Sequence, residues 1–125
     1  MLAYDDLSEA LIRAVPELRM PYEIERKAWR GEKPGQHVMF GNIVPPFLAS
    51  ELQDLRRRDV LKRAFSFFED MANDPDVLVQ EVVQQEVLAS LCGQAEWKAR
   101  AKPYIGPGFA ALMREYCDSY HHPHE

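Results

Sequence analysis

The segment between Pro75 and Gly93 constrains the fold more than any other part of the sequence. Its apolar residues fall on almost every side of a helix rather than on one stripe, and a helix of that kind is normally central to a fold. Its valines would suit a strand, but its length and its proline–acid start favour a helix. We therefore predict a central helix from about Pro75 to Cys92. The apolar residues of this helix are Val77, Leu78, Val79, Val82, Val83, Val87, Leu88 and Leu91.

The segment before it, from Asp59 to Asn73, has the clearest amphipathic pattern in the chain. Its polar residues occupy one side of the predicted helix and its apolar residues form one broad arc. The following turn is predicted to place Asp74 as the cap of the central helix and Pro75 at its first position. The apolar arc consists of Val60, Leu61, Ala64, Phe65, Phe67, Phe68, Met71 and Ala72.

The remaining segments also favour helices, because no segment alternates apolar and polar residues long enough to make a convincing strand. A first helix is predicted from about Asp5 to Val15, capped by Asp5 or Asp6, and a second opens at Pro21. Because Pro45 and its neighbour Pro46 interrupt the next apolar run, we predict a short turn over residues 38–40 and a helix that begins at the proline pair.

Two further helices complete the predicted fold, one over about residues 94–102 and one that starts at the glycine–proline–glycine turn, residues 106–108. The predicted class is all-α: an antiparallel helical bundle or a short α-solenoid-like (HEAT-like) array of about six to seven helices. Residues 1–120 are predicted to form a single helical domain, and residues 121–125 a flexible tail that contains histidines.

Composition excludes several classes of protein. No apolar run is long enough to span a membrane. Cys92 and Cys117 are the only cysteines and form no CxxC pair, which argues against a disulfide scaffold or a zinc finger. Each is expected to act as a small buried hydrophobe, and the protein is expected to be cytoplasmic.

Charge is distributed unevenly. The net charge is −5, and the segment over residues 64–97 contains seven Asp and Glu residues but no Lys or Arg. An acidic surface repels nucleic acid and speeds encounter with basic proteins, although a solvated face that aids solubility explains the pattern equally well. The basic cluster Arg56-Arg57-Arg58 is interpreted as the charged, exposed start of a helix. We therefore expect no nucleic-acid partner and no membrane partner.

The sequence predicts no reaction. None of the common nucleophile, phosphate-loop, zinc-protease or calcium-loop motifs is present, so we predict no catalytic residue, metal site or cofactor. His37 is the only histidine before residue 121. The tail histidines His121, His122 and His124 could chelate a metal, but we interpret them as a loose tail with adventitious affinity.

One side of the central helix is a candidate recognition strip. Glu81, Gln84 and Gln85 share that side with Val77 and Leu88. A half-buried helix flank is the alternative interpretation. Glu86 falls on the opposite, apolar side, where an unpaired carboxylate would cost several kcal/mol, so it is expected to lie at an edge or to have a partner.

Two segments resemble a known family. Residues 37–48, HVMFGNIVPPFL, resemble an H-x-x-F-G-[DN]-hydrophobic-x-x-P segment, and residues 99–107, ARAKPYIGP, resemble A-R-x-x-P-Y-[ILM]-G-P. Together they resemble a small uncharacterised helical bacterial family, some of whose members are immunity-like proteins beside polymorphic toxins. The motifs consist of turn glycines, prolines and core aromatics, so the resemblance implies a fold and carries no catalytic set.

These observations lead to one main hypothesis and two alternatives. The main hypothesis is a non-catalytic immunity protein that binds and neutralises a cognate, basic toxin through an acidic face. The first alternative is a helical adaptor that homodimerises by burying Val77 and Leu88. The second is a small enzyme that uses His37 or a tail-bound metal. The residues predicted to bind the toxin are Glu69, Asp70, Asp74, Glu81, Gln84, Gln85 and Glu86.

Overall fold

Seven α-helices and no strands make up the part of the chain that the computed structural model describes, residues 2–32, 34–54 and 56–120, which confirms the all-α bundle. The predicted tail, residues 121–125, lies outside the described residues. Short 3₁₀ turns at Tyr4–Asp6, Pro16–Leu18 and Lys102–Tyr104 adjoin the helices. Six helices are α1 (Leu7–Ala14), α2 (Arg19–Ala28), α3 (Gln36–Asp54), α4 (Arg58–Ala72), α6 (Ala95–Ala101) and α7 (Pro107–Tyr120).

The remaining helix, α5, lies at the centre of the bundle. It runs through Val77–Val82, a π-helical turn at Val83–Leu88 and Ala89–Cys92, and it contacts α3, α4, α6 and α7. The prediction of a central helix is therefore confirmed along most of its length. At its start, however, Val77 and Leu78 are 60% and 52% exposed. The buried residues of α5 are Val79, Val82, Val83, Val87, Leu88 and Leu91.

Helix α4 follows its sequence pattern closely, because all eight residues of the predicted apolar arc are buried. Phe65 and Phe68 pack edge to face with ring centroids 5.3 Å apart, and Phe109 from α7 packs against both of them. Aromatic pairs at such distances add to the burial of their apolar surface. This cluster joins α4 to α7 across the core.

Helix α3 contradicts the sequence prediction. It is continuous from Gln36 to Asp54 and contains both Pro45 and Pro46, so the predicted turn and late start were wrong. Each proline removes one hydrogen bond to the residue four positions earlier. The helix persists because buried residues lie on both sides of the pair, among them Phe40 and Phe47. Tertiary burial here outweighs the local cost.

The starts of three helices also differ from prediction. Helix α1 begins at Leu7 after a 3₁₀ turn, and the side chain of Asp6 does not cap it. Helix α2 begins at Arg19, ahead of Pro21. Helix α5 begins at Val77, where Asp76 rather than the predicted Asp74 accepts the capping hydrogen bond, from the Leu78 N–H at 2.9 Å.

The two cysteines correct a further expectation. Cys92, at the end of α5, forms a disulfide with Cys117 in α7, and their Cα atoms lie 5.6 Å apart. The expectation that each cysteine acts as a separate small buried hydrophobe was wrong. Sequence inspection missed the pair because the partners are 25 residues apart and meet only when α5 packs on α7.

The arginine cluster is the charged, exposed helix start that the sequence indicated. Arg57 forms an ion pair with the buried Glu51, and Arg56 forms one with Asp54 at 3.0 Å. Arg58 is the first residue of α4. Within the described ranges, no helix combines the length and apolar character needed to cross a membrane.

Candidate functional site

The seven residues predicted to bind a partner fall into two groups. Three carboxylates have partners inside the molecule, and the other four side chains make no hydrogen bond or ion pair with the residues the structure describes. The first group is Glu69, Asp74 and Glu86, and the second is Asp70, Glu81, Gln84 and Gln85.

Glu69 fastens α4 to the beginning of α7. Its carboxylate accepts the N–H groups of Gly108 at 2.7 Å and Phe109 at 2.8 Å, and the Asn73 amide at 2.8 Å. Burial alone would raise the pKa of Glu69, but these donors outweigh it and the pKa lies below its ordinary value. A negative charge at a helix N-terminus is also favourable for α7.

The glycine–proline–glycine turn is explained by this contact. A Cβ on Gly106 would lie 2.6 Å from the Glu69 carboxyl carbon, and one on Gly108 would overlap the Asn73 side chain. Only glycine at both positions lets the start of α7 approach α4 so closely. The turn is thus structural, as its sequence indicated.

Asp74 is 4% exposed and organises the α4–α5 turn. It accepts the N–H of Leu2 at 2.8 Å and that of Asp76 at 2.9 Å. These two backbone hydrogen bonds lower the pKa of Asp74, the bond from Leu2 more than that from Asp76. Asp74 therefore links the N-terminal segment to the turn, and its carboxylate is already engaged by these two N–H groups.

Glu86 has the partner that its apolar surroundings required. Its Oε2 atom lies 2.9 Å from Nδ1 of His37 on α3, and the two side chains are 22% and 34% exposed. A Cβ on Gly41 would lie 2.6 Å from the other carboxylate oxygen, so this glycine makes room for the pair. Glu86 belongs to the π-helical turn of α5, and π turns often occur at functional sites.

Three of the four remaining residues lie on α5 at or after its exposed start, and Asp70 lies near the end of α4. Glu81 is one helical turn after Val77, and Gln85 follows one turn later. Asp70 lines an open cleft of about 290 Å³ together with Pro75, which lies two residues before α5. We call Asp70, Val77, Leu78, Glu81, Gln84 and Gln85 the α5 surface.

The sequence placed Val77 on the recognition strip, and it is 60% exposed, but the exposure of Leu78 was missed. It also placed Leu88 on the recognition strip, whereas Leu88 is fully buried. The available signal was position: the first two residues after the capping Asp76 precede the stretch of α5 that other helices surround.

The chemistry available within the described residues is limited. No three His, Cys, Asp or Glu side chains among them come together in a way that could hold a metal ion. The tail histidines lie outside the described residues. His37 and Glu86 form a carboxylate–imidazole pair, in which the carboxylate orients the ring.

Comparison with known proteins identifies a family. The profile of a domain of unknown function, DUF7674, matches residues 8–122. The chain belongs to this family. The DUF7674 match includes all of α2 to α7 and all but the first residue of α1, so the family is defined by the whole bundle. No curated protein and no solved structure matches the chain significantly.

Proposed function

We propose that this DUF7674 protein is a non-catalytic binding domain, most specifically an immunity protein that neutralises a cognate basic toxin. The observation that carries the proposal is the α5 surface, where Val77 and Leu78 are more than half exposed and the carboxylates have no partner among the residues that the structure describes. The segment over residues 64–97, which supplies this surface, contains no Lys or Arg.

The α5 surface combines the two features that protein recognition requires. When a partner removes exposed apolar side chains from water, the free energy of the complex is lowered. Such side chains supply the centre of an interface. Carboxylates around them form a polar rim and accelerate the encounter with a basic partner. Asp70 and Glu81 are suited to that role because neither is engaged by the described part of the fold.

The identity of the partner as a toxin rests on the resemblance of residues 37–48 and 99–107 to a family with immunity-like members. The same proposal includes a cytoplasmic location and no nucleic-acid or membrane partner. The cytoplasmic location can be tested directly, because disulfides such as Cys92–Cys117 are rare in a reducing cytosol. Thiol trapping in intact cells would report whether the pair is oxidised there.

The first experiment identifies the partner. The untagged protein is purified from its own organism, and whatever co-purifies is identified by mass spectrometry. We expect one basic protein in stoichiometric amount. A protein that purifies without any partner under low-salt conditions would contradict the immunity hypothesis.

The second experiment locates the interface with matched variants. The double variant Asp70→Lys/Glu81→Lys should weaken binding of the identified partner at least tenfold, mainly through slower association. The control Glu32→Lys/Glu115→Lys makes the same charge change at two exposed carboxylates outside residues 64–97 and should bind as the wild type does. Equal loss in both variants would mean that net charge, not the α5 surface, determines affinity.

The pair of His37 and Glu86 favours a second candidate, a small enzyme. If Nδ1–H of His37 donates to Glu86, Nε2 is left as an acceptor that could serve as a general base. His37→Gln removes that base at similar size. A variant that neutralises the partner as fully as the wild type would eliminate this candidate, whereas loss of function without loss of partner binding would support it.

A further inference from the structure

Helix α2 presents an apolar stripe to solvent. Met20 is 71% exposed and Ile24 is 63% exposed, and Ala28 is also exposed. The three residues are spaced four apart, so they lie on one side of the helix over its whole length. A surface helix of a monomer normally turns such a stripe toward the core.

The orientation of α2 is fixed by contacts on its opposite side. Tyr22 is buried, and its hydroxyl donates to Glu9 of α1 at 3.1 Å and accepts from Arg26 at 3.0 Å. Glu25 accepts the Asn42 amide of α3 at 2.6 Å. These contacts fix the rotation of α2 about its axis, so the fold itself directs the apolar stripe toward solvent.

We propose that the stripe is the contact between two copies of this chain, packed with their α2 helices antiparallel about a twofold axis near Ile24. In that arrangement Met20 of each copy faces Ala28 of the other, and Ile24 faces its own equivalent. The contact is self-complementary, as a twofold interface must be.

The charges beside the stripe fit this arrangement. At 100° per residue, Glu23 and Lys27 lie on the same flank of the stripe, and both are exposed without an ion pair among the described residues. An antiparallel pair brings Glu23 of one copy opposite Lys27 of the other, offset by about 3 Å along the axis. Two Glu–Lys pairs form per dimer, and they outnumber the single Glu23–Glu23 approach across the twofold axis, which has the same offset of about 3 Å.

The shape of the surface supports the same occupant. A groove of about 460 Å³ runs beside Met20 and Ile24 and is bordered by Pro16. The apolar side chains of the second copy can enter this groove. Because α2 has only ten residues and is about 15 Å long, the dimer should be weak and dependent on concentration.

This surface differs from the α5 surface in charge. Glu23 and Lys27 cancel, so the flank selects neither basic nor acidic partners, whereas the α5 surface is acidic. It also replaces the earlier dimer hypothesis, which required Leu88, a residue that is fully buried.

Sedimentation velocity over a range of protein concentrations tests the proposal. We expect the wild type to shift from monomer to dimer, and Ile24→Glu to remain monomeric with an unchanged circular dichroism spectrum. The matched control is Val77→Glu, an exposed apolar residue of the α5 surface, which should dimerise as the wild type does. A wild type that stays monomeric up to about 1 mM, or a Val77→Glu variant that alone dissociates, would overturn the proposal.

Charge exchange tests the antiparallel arrangement itself. Glu23→Lys and Lys27→Glu each place like charges across the contact, so each variant should dimerise at least tenfold more weakly. An equimolar mixture of the two variants restores both ion pairs and should form a heterodimer, as should the double variant with itself. Single variants that dimerise normally, or a mixture that stays monomeric, would show that Glu23 does not face Lys27.

Discussion

Glu69 and Asp70 are adjacent in sequence and opposite in role. Glu69 accepts two backbone N–H groups at the start of α7, whereas Asp70 is exposed and lines an open cleft. The same division runs through the acidic segment, since Asp74 and Glu86 have partners and Glu81 has none in the described part of the chain. A count of charges over residues 64–97 therefore mixes carboxylates that hold the fold with carboxylates that are available to a partner.

The division has a geometric cause. A carboxylate becomes structural where another element brings unpaired donors to it, and helix N-termini supply such donors. Glu69 faces the start of α7, while Asp70, one position further round the helix, faces solvent. Substitutions that affect α7 test the difference between Glu69 and Asp70 best. Glu69 holds the beginning of that helix, and the Cys92–Cys117 bond holds its later part.

The disulfide should have the largest effect. Closing a loop of 25 residues restricts the unfolded chain by about 3 kcal/mol, so reduction should lower the free energy of unfolding by that amount. Urea denaturation with and without dithiothreitol measures it. The double variant Cys92→Ser/Cys117→Ser should be equally destabilised and should not respond to dithiothreitol. Two titratable thiols in the air-oxidised wild type would contradict the bond.

Glu69→Ala and Asp70→Ala test the comparison directly. Glu69→Ala leaves two N–H groups of α7 without their acceptor and should cost about 2 kcal/mol. Asp70→Ala should change stability by less than about 0.5 kcal/mol, because the side chain is exposed and unengaged. Both are measured by urea denaturation at pH 7. Equal effects of the two substitutions would remove the distinction between structural and available carboxylates.

The sequence predicted well where one helix face determines the outcome. All eight residues assigned to the buried arc of α4 are buried, because periodicity reports burial directly. It failed at Pro45 and Pro46, where the local rule against proline inside a helix was outweighed by burial on both sides. Local patterns thus fix helices more surely than their boundaries.

Contacts between residues far apart in the chain could not be predicted from the sequence. Periodicity required a partner for Glu86 but could not identify His37, which lies 49 residues away. In the same way, nothing in the spacing of Cys92 and Cys117 indicates that α5 and α7 bring them together. Such contacts decide which acidic residues hold the fold and which are available to a partner. The predicted site therefore included acidic residues of both roles.

His37→Ala should have a smaller effect than Glu69→Ala. It leaves the half-buried carboxylate of Glu86 without its partner and should cost about 1 kcal/mol. Glu86→Gln is the control, because its amide can still pair with the imidazole. Thermal unfolding at pH 7 measures both variants. A His37→Ala variant as stable as the wild type would place Glu86 with the available carboxylates.

Lowering the pH should produce the smallest change in the free energy of unfolding. The pKa of Glu69 determines the sign of that change. The carboxyl pKa is lower in the folded protein than its ordinary value of 4.5, so folding favours the ionised form. That contribution is complete above pH 4.5 and is lost as the pH falls through the lower folded value. Because Glu69 is partly exposed, we expect it to be less than about 1 kcal/mol.

Glu69→Gln isolates this contribution, because it keeps the shape of the side chain but cannot ionise. The difference in unfolding free energy between the wild type and Glu69→Gln should shrink as the pH is lowered from 7 to 3. The control Asp70→Asn should change the free energy of unfolding at pH 7 by less than about 0.5 kcal/mol, because the side chain is exposed. A difference that stays constant with pH would mean that Glu69 stabilises α7 by shape alone and that its charge is as available as that of Asp70.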